Sequence, residues 1–236
     1  MKLKKIGVVL CSIIVLLIAG SYWYIQDYYQ VEESVSLENT MEESAEKIVY
    51  GNADSTVGLI FYPGGKVEFS SYAPLMERLS ENNILCVVVH MPANLAILDT
   101  HAADEIMEQY PNIKNWYVGG HSLGGSAACM CLAAHSDQFK GLILLASYST
   151  KNLSASNLPV LSIYGSEDGV LSRKSYDKNR KNLPKDTKEY VIQGGNHAGF
   201  GNYGDQKGDG QATISKDDQQ KITVQQILQF IQEVSK

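Results

Sequence analysis

The chain has 236 residues, 44% of them apolar, and a formal net charge of −6; that is material for one substantial core plus a terminal appendage. Seven carboxylates crowd into residues 26–46 without a Lys or Arg, so the chain beyond residue 46 is close to neutral. A nearly neutral domain has no clustered basic face for phosphate, which excludes nucleic acid as the expected partner.

The N-terminus comes first in chain order. Lys2, Lys4 and Lys5 precede a charge-free run over 6–25, long enough at ~1.5 Å per residue to cross a ~30 Å hydrocarbon core. Lysines before the run and acids after it put the N-terminus in the cytoplasm and the rest of the chain outside. Tyr22, Trp23 and Tyr24 look like an interfacial aromatic belt, so residues 1–25 are expected to be an uncleaved transmembrane signal-anchor in the cell membrane. The competing reading is a signal peptide cleaved at Ala19-Gly20-Ser21, which gives a secreted protein. Cys11 lacks the small preceding residue that a lipoprotein site needs. Residues 26–47, rich in Glu, Ser, Asn and Thr, read as an acidic solvated stalk.

Residues 48–236 read as one α/β domain. Short apolar runs alternate with amphipathic stretches, the pattern of a mostly parallel central sheet with helices on both faces. Strands are expected over 57–62, 84–90, 116–119, 142–146, 160–164 and 189–192, with an edge strand within 45–50. Helices are expected over 72–81, 100–110, 124–135, 172–182 and 216–234. Leu85-Cys86-Val87-Val88-Val89 is apolar on both faces, as a strand covered on both sides must be. Residues 147–159 are too few for an inserted helical cap, so no lid domain is expected. Cys86, Cys129 and Cys131 fall in segments that read as buried and give no disulfide framework. Cys129 and Cys131, two apart on a helix, face different ways and make no metal pair. No cofactor and no metal site is expected.

The chemistry-bearing residues lie where strands end. Gly120-His121-Ser122-Leu123-Gly124 reads G-x-S-x-G between a strand and a helix, a sharp turn that lifts the Ser122 hydroxyl over a helix N-terminus. A serine hydroxyl needs a base to become a nucleophile. Gly165-Ser166-Glu167-Asp168-Gly169 follows one later strand and Gly194-Gly195-Asn196-His197 the next, offering an acid and a base in the order Ser, Asp, His. Asp168 is the expected acid, with Glu167 its competitor one residue away. An oxyanion hole needs two backbone amides aimed at one point. Leu123, after the nucleophile, supplies one, and Gly65 in Tyr62-Pro63-Gly64-Gly65-Lys66 the other. His121 is expected to shape the acyl pocket or to pack, and His90, His101 and His135 carry no assigned chemistry. Lys207 and Lys216 stand where a calcium loop would want oxygen ligands, so 194–215 is expected to be a polar rim loop beside the site.

These four segments together resemble the α/β-hydrolase family over about 48–236, in particular small cap-less bacterial members whose oxyanion turn reads Tyr-Pro-Gly. The resemblance implies an α/β-hydrolase fold and a Ser122, His197, Asp168 triad. The expected activity is a carboxylesterase-like serine hydrolase that forms an acyl-enzyme on esters with small or medium acyl groups. The substrate is expected to be a small molecule or cell-surface material. The alternatives are an acyltransferase on the same triad and a non-catalytic binding module that keeps the fold.

Overall fold

A computed structural model describes residues 2–235, the side chains of residues 2–11, 18 and 21 excepted. In chain order the elements are helix α1 (Lys2–Gln26), strands β1 (Glu42–Glu43), β2 (Lys47–Tyr50) and β3 (Val57–Tyr62), helix α2 (Ala73–Ser80), strand β4 (Ile84–Val89), helix α3 (Ala102–Gln109), strand β5 (Asn115–His121), helix α4 (Leu123–Ala134), strands β6 (Phe139–Leu145) and β7 (Val160–Gly165), helix α5 (Arg173–Asn179), strand β8 (Lys188–Ile192) and helix α6 (Lys216–Val234). The strands form one eight-stranded sheet in the order β1-β2-β4-β3-β5-β6-β7-β8. From β4 to β8 every pairing is parallel, and β1 and β2 close one edge antiparallel.

Period-two alternation in the strands builds two cores, one per face. Leu59, Phe61, Cys86, Val88, Ile143 and Leu145 point to the face covered by α2 and α6, packing with Leu75, Leu79, Ile227 and Phe230. Ile60, Tyr62, Leu85, Val87, Leu142 and Leu144 point to the other, packing with Ala103, Ile106, Ala128 and Leu132 of α3 and α4. The chain reverses direction across the sheet at β3, which has β4 on one side and β5 on the other. Such a switch point opens a crevice at the carboxyl ends of the strands. No helix interrupts the connection between β6 and β7, so no cap is built there.

Two expectations for the N-terminal region change. Residues 6–25 lie within α1, but the side chains of 6–11 fall outside the described residues, and among the described residues no helix is long and apolar enough to cross a membrane. Side-chain description begins at Ser12, which leaves fewer residues than the ~20 a span needs, so the transmembrane anchor expected from sequence gains no support from the structure. The second change concerns 26–47, which is a strap along the domain rather than a solvated stalk. Tyr29 bridges Val67 in parallel fashion, donates its N–H to Lys66 O at 2.7 Å and accepts from Glu68 N–H at 2.9 Å. The Val31 amide donates to the Glu68 carboxylate at 3.0 Å. Glu32 N–H donates to Asn202 O at 2.9 Å, while its carboxylate meets Lys216 at 2.6 Å. Tyr29, Val35 and Leu37 pack against the core; these apolar residues, spaced through an acidic tract, are what hold it down.

Candidate active site

Strand β5 stays hydrogen-bonded on both sides through Gly120, beside Tyr62 and Leu144, and α4 starts at Leu123. Ser122 alone makes the turn, at φ 52° and ψ −119°. A residue with a Cβ held there costs about 1–3 kcal/mol, so the surroundings must over-determine it. They do: the Ser122 amide donates to Leu145 O at 2.9 Å, and the Ser122 carbonyl accepts the Ser147 hydroxyl at 2.7 Å. The helix is pressed against the end of β3 so closely that a Cβ on Gly124 would sit 2.1 Å from Tyr62 O. Only glycine fits there.

Ser122 and His197 line one cavity of about 210 Å³, with Leu123, Ser147, Tyr148 and Leu171 on its walls. The His197 Nδ1 lies 2.9 Å from Asp168 Oδ2, and the two side chains are 1% and 2% exposed. The other oxygen of Asp168 accepts the Val170 and Leu171 amides at 2.9 and 2.7 Å, which fixes the carboxylate in its turn. An ionised carboxylate only accepts, so Nδ1 carries the proton and Nε2 presents its lone pair. His197 Nε2 is buried and has no hydrogen-bond partner among the described residues. That leaves the acceptor nitrogen of His197 available to a group entering the cavity, and in apo sites such bonds are often completed only when substrate binds. Glu167 turns away and accepts the Ser166 hydroxyl at 2.8 Å. Of the two neighbouring acids, geometry brings only Asp168 to the imidazole.

The residues that carry the two expected oxyanion donors are neighbours in space. A Cβ on Gly65 would lie 2.8 Å from the Leu123 side chain, so the turn after β3 abuts the start of α4. Within that turn the Gly64 amide is spent on Tyr72 Oη at 3.0 Å and the Lys66 amide on Asn94 O at 2.7 Å. The Gly65 amide is left as the turn's candidate donor, beside the amide of Leu123 at the N-terminus of α4.

Three supporting residues were not legible in the sequence. Asp209, within the expected polar rim loop, accepts from the amides of Gly169 at 3.0 Å, His197 at 3.1 Å and Ala198 at 2.8 Å. One carboxylate therefore ties the acid turn to the base turn. Gln219 on α6 braces the same turn from beneath, accepting the Asn196 amide and donating to the Asn196 carbonyl at 3.0 and 2.8 Å. Tyr72 holds its hydroxyl 2.8 Å from His121 Nδ1 while also accepting from Gly64. The His121 ring is tilted at 51° against the His197 ring, with centroids 4.5 Å apart. Burial, and after it the proximity of His197, keeps the His121 pKa well below the usual imidazole value, so His121 stays neutral and does not oppose a positive charge on His197. Between 8 and 49 residues of chain separate these side chains from their partners, and no local pattern marks such pairings.

Asp209→Ala strips the acceptor from the amides of Gly169, His197, Ala198 and Gly210 at once. Because orphaned buried donors cost ~1–3 kcal/mol each, this variant is expected to lower the thermal midpoint by ~5 °C or more and to lower kcat by loosening the base turn. Thermal melts and steady-state rates check both.

A model of the alpha/beta hydrolase family matches residues 58–221. No curated protein matches the chain. Among solved structures, the monoacylglycerol lipase of Paleococcus ferrophilus aligns at 11% identity over 80% of this chain and 100% of its own, with a TM-score of 0.61. Est1E from Butyrivibrio proteoclasticus aligns at 14% identity over 81% and 98%, TM-score 0.59. A predicted CIB-like hydrolase from Thermoplasma acidophilum aligns at 13% identity over 76% and 89%, TM-score 0.58. At such identities the likeness speaks for the fold.

Proposed function

The chain belongs to the alpha/beta hydrolase family, and from that premise we propose that it is a serine hydrolase of carboxylic esters working through an acyl-enzyme on Ser122. The observation that carries the reading is the oriented pair of Asp168 and His197, 2.9 Å apart, the Nε2 of His197 being without a partner among the described residues and its ring lining the same cavity as the strained Ser122. In the proposed reaction His197 Nε2 takes the Ser122 proton as Oγ attacks the ester carbonyl. The amides of Leu123 and Gly65 receive the oxyanion, which in a preorganised site is worth ~10²–10³ in rate per donor. The imidazolium, stabilised by Asp168, then protonates the leaving alkoxide. Water enters, His197 accepts its proton, and the second tetrahedral intermediate collapses as the imidazolium returns that proton to Ser122 Oγ, releasing the acid. A cavity of about 210 Å³ lies below the ~300–1,000 Å³ of pockets that engulf drug-sized ligands. That favours small or medium acyl groups, with the alcohol part lying outward over an uncapped mouth.

The test is labelling of the full chain with a fluorophosphonate, which reports an activated serine without a known substrate. A single adduct mapped by mass spectrometry to Ser122 is the expected result; an adduct elsewhere, or none, ends the proposal. For location, the lysines at 2, 4 and 5 and the acids of 27–46 support an N-terminus kept inside and a catalytic domain outside the membrane. The full chain is then expected to pellet with membranes and resist carbonate extraction. A soluble form beginning at Tyr22 would show a cleaved signal peptide instead.

A further inference from the structure

We propose that His101, Asp104 and His135 form a binding site for one divalent transition-metal ion of the zinc type, separate from the catalytic cavity. His101 precedes α3, Asp104 lies in its first turn, and His135 follows the last residue of α4. Thirty-four positions separate the two histidines in sequence, yet the fold turns both rings onto the same carboxylate oxygen. His101 Nδ1 lies 3.6 Å and His135 Nε2 3.5 Å from Asp104 Oδ2, and one ligating atom from each residue falls within 4.8 Å of the others. The rings stand edge to face, 5.5 Å between centroids at 82°.

These spacings are long for N–H···O hydrogen bonds, whose usual range ends near ~3.2 Å. They suit a coordination polyhedron better: zinc bonds of ~2.0–2.2 Å at tetrahedral angles place neighbouring ligand atoms ~3.3–3.6 Å apart. A second observation is independent of the first. Asp104 Oδ1, the oxygen that the histidines do not face, is buried and has no hydrogen-bond partner among the described residues, whereas a buried acceptor is normally satisfied, so this second oxygen can also serve an ion. Two imidazoles and one carboxylate give three ligands, and solvent can supply the fourth because the His101 side chain is 61% exposed. Imidazole-rich sites select Zn²⁺, Ni²⁺ or Cu²⁺ over Mg²⁺ and Ca²⁺, which want oxygen. The ion would join the start of α3 to the end of α4. Helix α4 is 12 residues long, so its far end lies ~18 Å along the axis from Ser122. The ion would act as a staple that favours the folded chain, not as a participant in ester cleavage.

The test uses the untagged full chain after chelator treatment. Calorimetric titration with Zn²⁺ is expected to show one equivalent bound, and saturating Zn²⁺ to raise the thermal midpoint by ~5 °C or more, while Mg²⁺ does neither. His101→Asn and His135→Asn are each expected to abolish the single-equivalent binding and the zinc-dependent rise. Fluorophosphonate labelling of Ser122 should be unchanged, since neither histidine belongs to the catalytic machinery. His101 is exposed, so its variant serves as the test if His135→Asn folds poorly. No Zn²⁺ binding to the unaltered chain, equal binding by His101→Asn, or an equal rise with Mg²⁺ would each overturn the assignment.

Discussion

Ser122→Ala is expected to abolish fluorophosphonate labelling and to lower ester hydrolysis by ~10⁴-fold or more, with the thermal midpoint within a few degrees of the unaltered chain. Among the described residues no hydrogen bond from the hydroxyl holds the turn; the backbone does, through Leu145 O and the Ser147 hydroxyl. Alanine inherits the same positive φ, so the strain is neither added nor relieved. His197→Ala should fall as far in kcat, because without a base the hydroxyl stays protonated, and the double variant should fall little further, as members of one catalytic unit are not additive. Melting curves beside rate measurements separate lost chemistry from lost fold. Full labelling of Ser122→Ala would mean that another residue is the nucleophile.

Asp168→Asn is expected to lower kcat by up to ~10⁴-fold near neutral pH while preserving the fold. An amide at this position can donate to Nδ1 as well as accept from it, which admits the tautomer whose proton sits on Nε2, pointing at the serine. It also removes the negative charge that stabilises the imidazolium. The two bonds from the Val170 and Leu171 amides to Oδ1 survive in asparagine, so the turn itself should persist. Glu167→Gln removes an acid one residue away whose carboxylate is engaged by Ser166, and its effect should stay below ~10-fold because an exposed charge acts through screened solvent. Steady-state kinetics on both variants decides the matter, and a reversal of the two outcomes would make Glu167 the acid.

Much of the site was readable because its parts are local. The expected strand over 57–62 is β3 itself, Val57–Tyr62, and 84–90 overruns β4 by one residue. The Gly-His-Ser-Leu-Gly turn declares itself by needing glycine where backbones touch. Other features come from distant partners and leave no trace in a window of ten residues. Strand β5 extends through His121, beyond the expected 116–119, because Leu144 and Leu145 pair with it. Asp209 sits in a polar loop of the sequence, and only the folded chain shows the amides of Gly169, His197, Ala198 and Gly210 converging on it. The tract 26–47 reads as solvated because its seven acids are as many as its apolar residues, but Tyr29, Val35 and Leu37 are enough to seat it.

That seating has a practical side for anyone trimming the chain for expression. Composition suggests starting a recombinant domain near residue 48, just before the last residues of β2. Such a cut would leave Lys66 O and Glu68 N–H without Tyr29, immediately beyond the Gly65 turn, and would leave Asn202 and Lys216 without Glu32. A fragment begun at Asp27 keeps all of these partners and also the acid that pairs with Lys66 at 3.0 Å.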